Sequence, residues 1–246
     1  MHKSRKGLGL SLLVLLCGTA AMLLRQKLYL TAVDMKGLLL KNTPLEWMVL
    51  ALTGVTAVIV LLALRRETGN SPYEDNYTAS VPGALGHVAG AAGIFLTVYT
   101  QPPVMDGYIG DAWRFLGFAA PICLVLAGIA RLLGKKPFFL LHVVPSLFFL
   151  LHVVSSYQLW SSDPQMQNYL FTLLSTLALA LFGHYTAAFE ADCGNRRMTL
   201  AAGLAAVYLC LAELAWSANS ALYWGGMLWA LTGMCNTVPA PAHKKD

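Results

Sequence analysis

Residues 137–160 read PFFLLHVVPSLFFLLHVVSSYQLW, an apolar run without one charged side chain. Such a run constrains the fold severely. It is long enough to cross a hydrocarbon core, which takes about 20 residues of helix. It also carries His142, His152 and Pro145, groups that lipid tolerates only where a protein neighbour satisfies them. The repetition of FFLLHVV at 138–144 and 148–154 covers this run alone, and a period of ten does not suit a helical repeat.

Seven further apolar stretches give the same signal, at 7–24, 44–64, 81–100, 109–133, 164–189, 198–216 and 221–236. Charged residues make up 12% of the chain, about half the usual soluble share of ~25%. No polar stretch is long enough to build a soluble domain. The expected fold is therefore all-α: a single polytopic bundle of about eight transmembrane helices. The basic start followed by an apolar run resembles a signal peptide, but the run is long for one. An uncleaved first helix is expected.

Basic residues give an orientation. With the N-terminus inside, the inner segments hold Lys3, Arg5, Lys6, Arg65, Arg66, Arg131, Lys135, Lys136, Arg196, Arg197, Lys244 and Lys245, against Arg25, Lys27, Lys36, Lys41 and Arg114 outside. This bias predicts both termini in the cytoplasm. Trp47, Trp113, Trp160 and Trp216, with Trp224 nearby, fall at the outer ends, where indole rings favour the headgroup layer. The first outer segment, LYLTAVDMKGLLLKNTPLEW, mixes apolar and basic residues, and part of it reads as an interfacial segment lying along the membrane. A differently oriented first helix and a count of seven is the alternative.

The net charge of +5 lies in clusters beside apolar runs, so it reads as a topology signal and not as a nucleic-acid surface. The cysteines, Cys17, Cys123, Cys193, Cys210 and Cys235, form no C-x-x-C pair and read as small core residues. The segment 65–82 is the one substantial soluble connection, and its Asn76-Tyr77-Thr78 sequon would go unused in the cytoplasm. The last residues, VPAPAHKKD, read as a disordered tail.

Small residues stripe the third span: Gly86 with Gly90, and Ala89 with Gly93. Such stripes let helix backbones approach closely in lipid. A buried central helix is expected here, with a homodimer seam as the alternative.

Polar groups inside the spans are the functional lead. His87, His142 and His184 fall at similar depths near the inner ends of three spans, and are expected to form one layer. Farther out lie Arg114, Asp111, His152, Ser155, Ser156, Asn168, Thr172 and Glu213, and Arg114 is expected to pair with Glu213. On the fifth span, His142, Ser146, His152 and Ser156 share about a third of the circumference. The stripe suits a path for protons or a small solute. Alternatively, each histidine bonds a neighbouring carbonyl or hydroxyl and fixes helix register.

Three imidazoles could hold zinc, and two could ligate haem. H-E-x-x-H and C-x-x-C-H motifs are absent, as are a P-loop, a Rossmann fingerprint and G-x-S-x-G. No cofactor or metal is expected, and an enzyme is the less favoured class. The expectation is a transporter or permease-like protein of a prokaryotic cytoplasmic membrane, proton-coupled or carrying a small solute. Its ligand or proton path would use His87, His142, His152, His184, Ser156, Arg114 and Glu213. The alternative is a non-catalytic sensor or partner subunit. Expected partners are the lipid bilayer and a membrane protein or second copy, with no nucleic acid.

Overall fold

A computed structural model describes residues 2–32, 43–65, 72–101, 103, 107–161, 169–215, 217 and 219–235. The chain is a helical bundle: α1 (His2–Thr31), α2 (Pro44–Leu64), the short α3 (Tyr73–Asn76), α4 (Val81–Thr100), α5 (Tyr108–Leu132), α6 (Leu140–Trp160), α7 (Leu170–Glu190), α8 (Arg196–Glu213) and α9 (Ser220–Cys235). Six of these, α1, α2 and α4 to α7, are long and apolar enough to cross a membrane. The shorter α8 and α9 pack among them. Large apolar side chains such as Leu62, Leu85, Phe115, Ile122 and Leu126 are exposed around the outside. A bundle that turns leucine and phenylalanine outward is built for lipid contact.

Helices α4 to α9 form a closed ring, each packed on the next, and α9 returns to α4. Helix α1 lies outside the ring against α8, and α2 lies against α1 and α8. Helix starts follow from local chemistry. Thr43, Ser80 and Asn195 each accept a hydrogen bond from the backbone N–H three residues on, at 3.2–3.3 Å. Pro44 and Pro82 follow the first two, where a missing N–H has no cost.

The glycine stripe closes the ring within one chain. A Cβ on Gly93 would sit 2.5 Å from the Ala221 carbonyl oxygen, and one on Gly225 would sit 2.5 Å from that of Ala89. A Cβ on Gly90 would meet Trp229 at 3.0 Å. These residues are used between α4 and α9, so the homodimer seam at this stripe is set aside.

Other expectations are corrected. The first span runs to Thr31, not to residue 24, which brings Arg25 inside the helix and 4% exposed. The sixth span begins as helix at Leu170, and the fifth at Leu140. Trp113 is not a headgroup ring; it is 1% exposed and packed between helices. Trp47 and Trp224 are exposed as expected. Cys193 is exposed and not in the core, whereas Cys210 is buried. The interfacial segment at 33–42, Asn168, Trp216, the side chain of Trp160 and the tail lie outside the described residues.

Candidate functional site

Two turns set the site. At the end of α5, Gly134 adopts φ +67°, its N–H bonds the Arg131 carbonyl at 3.1 Å, and the Lys135 N–H bonds that of Ala130 at 2.9 Å. At the end of α7, Asp192 adopts φ 60°, with Asp192 N–H to Phe189 O at 3.0 Å and Cys193 N–H to Ala188 O at 2.9 Å. Both are Schellman turns, which satisfy the last carbonyls of a helix with a left-handed residue. An ion pair of Lys136 with Asp192 ties the two turns together. That contact also holds the Asp192 carboxyl below the usual carboxylate range. Arg131 and Glu190 are thereby fixed in the last turns of α5 and α7, at the same end of the bundle.

At this end the ring helices α4 to α7 contribute one buried group each: His87, Arg131, His142 and Glu190, all 4% exposed or less. The Gly83 carbonyl lies 2.7 Å from His87 Nδ1. His87 Nε2 lies 3.0 Å from His142 Nε2. His142 Nδ1 lies 2.9 Å from Glu190 Oε2 and 2.8 Å from Oε1.

Connectivity assigns the protons. A carbonyl only accepts, so His87 Nδ1 carries hydrogen and, in the neutral ring, Nε2 accepts. His142 Nε2 must then donate. Its Nδ1 faces the carboxyl group with one proton to share: a neutral imidazole with a carboxylic acid, or an imidazolium with a carboxylate. The two forms differ only by a proton moving across one hydrogen bond. The Arg131 charge acts electrostatically on His87, His142 and Glu190 alike.

A cap closes this end. Tyr73 and Tyr77 are 5% and 6% exposed and pack with Phe189. The Arg131 guanidinium lies 4.2 Å from the Tyr77 ring centre, a cation–π contact. Arg196 Nη1 donates to Asn76 Oδ1 at 3.1 Å. Helix α3, which lies within the stretch expected to be a solvated connection, is thus held in place as a lid, and the sequon residue Asn76 is 0% exposed. Burial pushes the Tyr73 hydroxyl up to about 12 against the pull of Arg131, and raises that of Tyr77 as well. Both stay protonated over the physiological range.

Toward the middle of the bundle, aromatic rings fill the ring of helices. Trp229 stacks on His142 with centroids 6.0 Å apart, on Phe149 at 6.1 Å, and edge-on to Phe182 at 5.0 Å. Phe148 and Phe149 are buried between His142 and His152. His152 accepts from Trp113 Nε1 at 3.1 Å. Ser146 and Ser155 donate to carbonyls of their own helix. The stripe of His142, Ser146, His152 and Ser156 therefore does face inward in large part, with Ser156 buried, but an aromatic layer interrupts it.

The expected set divides three ways. His87 and His142 meet, as expected. His184 does not join them; it is exposed on the outer face of α7 beside Tyr185. Three imidazoles do not converge, and among the described residues no group of three or more His, Cys, Asp or Glu could hold a metal ion. Arg114 is exposed beside Tyr99, Gln101 and Phe118 and does not reach Glu213.

Glu213 pairs instead with Arg25, Nη1 to Oε2 at 2.8 Å, and accepts from Thr172 Oγ1 at 2.6 Å. Arg25 also donates to the Ala212 carbonyl at 2.7 Å and lies 4.4 Å from the Phe171 ring centre. This cluster pins α1 to the ring, far along the helices from Glu190.

Arg131, Glu190, Tyr73 and Tyr77 were not legible as site residues. A charge in the last turn of an apolar run reads equally as a topology signal. Glu190 gave no stronger signal, since Asp192 stands two residues on in the same loop and Glu74 and Asp75 lie in another connection on that side. No protein-family model, curated protein or solved structure matches the chain.

Proposed function

We propose that this chain is a proton-handling membrane carrier of the permease type, acting through Glu190, His142 and His87. One observation carries the reading: a chain of hydrogen bonds from Gly83 O through both imidazoles to Glu190 leaves a single mobile proton at a buried site. Ionisable groups inside a membrane are costly, and chains of Glu and His there serve as proton relays in pumps and transporters. The charged and titratable groups acting on the relay are Arg131, Lys136, Tyr73 and Tyr77. A prokaryotic cytoplasmic membrane, with the relay at the inner face, accords with the distribution of basic residues.

In proteoliposomes carrying a pH dye, the wild-type chain is expected to move protons when a gradient is imposed. Glu190→Gln keeps a hydrogen bond to His142 but cannot shed a proton, and should reduce the flux at least tenfold. His184→Ala should leave it unchanged. Wild-type flux in Glu190→Gln, with protein incorporated normally, would remove the proposal.

A second reading has its own support. The filled layer of Phe148, Phe149 and Trp229 suits a non-catalytic sensor or partner subunit, in which the relay titrates without transport. That reading expects proton uptake by purified protein without flux, and co-purification with a specific membrane chain or a second copy.

A further inference from the structure

The relay accounts for Glu190 and both histidines, but not for Arg131. This side chain is 2% exposed, and its Nε and Nη1 have no hydrogen-bond partner. A buried guanidinium with unpaired donors loses hydration without replacement, which is costly to leave uncompensated. Glu190 Oε1 lacks a hydrogen-bond partner in the same layer, although it lies beside His142. The protein thus holds a cation with two unpaired donors, an acceptor on the neighbouring acid, and a stacked tyrosine pair whose Tyr77 ring lies against the guanidinium.

We infer that Arg131 binds a small, singly charged oxyanion under the Tyr73–Tyr77 lid, as the co-substrate of the proposed proton carrier. The inference rests on that carrier reading for its role, though not for the binding itself. The chemistry sets the class. A guanidinium is a planar fork that matches carboxylate and other planar oxyanions better than a spherical ion. A single negative charge suits the site, because the Glu190 carboxyl beside it disfavours a dianion. Small size follows from the walls, since Tyr73, Tyr77 and Phe189 are all closely packed. Tyr73, stacked on the Tyr77 ring that covers the guanidinium, brings a hydroxyl that can donate to the ligand when α3 is seated. Lifting α3 opens the site toward the side expected to be cytoplasmic.

The test uses full-length protein purified in detergent, with thermal unfolding followed by tryptophan fluorescence. Formate, acetate, nitrate and sulfate are titrated against chloride at constant ionic strength. Formate or acetate is expected to raise the midpoint saturably; nitrate acting alone would mark an inorganic oxyanion as the ligand, and both outcomes support the site. Sulfate is expected to do nothing. Arg131→Gln should abolish the response. Tyr73→Phe, the milder variant should Arg131→Gln fail to fold, should weaken it at least threefold.

Equal shifts in all anions, no shift in any, or a response that survives both substitutions would overturn the inference. Glu190→Gln separates the two proposals. It should bind formate as tightly as wild type or more so while losing proton flux. Lost flux with no anion response in any variant defeats the anion site and leaves the relay standing. Retained flux with a normal anion response does the reverse.

Discussion

Arg25 and Glu213 show how a buried charge behaves once it has partners. The pair is joined at 2.8 Å, and Thr172 and the Ala212 carbonyl take up further bonding capacity. Removing one member leaves the other charged and unpaired, at a cost of about 3–5 kcal/mol. Glu213→Ala and Arg25→Ala are each expected to lower thermal stability in detergent strongly. The double change Arg25→Met with Glu213→Leu should recover most of it. A double variant as unstable as the singles would contradict this account. The expected partner, Arg114, stood at a plausible depth, yet depth alone leaves the azimuth of each helix open. Arg25 was hidden because the apolar run weakens near residue 24, and the helix does not.

At the scale of elements, the closure of α9 on α4 matters most, because it completes the ring holding His87 beside His142. Gly93 and Gly225 face each other's backbones there. Gly225→Val is expected to force the helices apart, with a loss of about 1–3 kcal/mol typical of overpacking. It should also disturb the relay, measurable as weakened proton uptake. Gly54→Ala is the control, since nothing lies within 4 Å of a Cβ there. It should be neutral or slightly stabilising, because alanine is the better helix former. The small-residue stripe was legible from spacing. Its partner helix was not, because a stripe records closeness without saying to what.

For the whole molecule, topology is the feature most open to test. Cys193 is exposed at the end of the bundle that carries the relay and lid, while Cys210 is buried. A membrane-impermeant maleimide is expected to label Cys193 in inverted vesicles and not in intact cells, with Cys193→Ser as the control. Labelling in intact cells would reverse the orientation and place the lid outside.

The apolar runs by themselves determined that the chain is an all-helical bundle made for lipid. In hydrocarbon every backbone group must bond internally, and continuous helices are the simplest way to do so. The meeting of His87 with His142 was also within reach, since both lie near the same ends of their spans. Only the tertiary structure decided which way each side chain turns. Helix rotation sent His184 outward, brought Arg25 to Glu213, and gathered Arg131 and Glu190 beneath Tyr73 and Tyr77. Those choices depend on packing among residues distant in sequence, where one helix supplies the charge and another its partner.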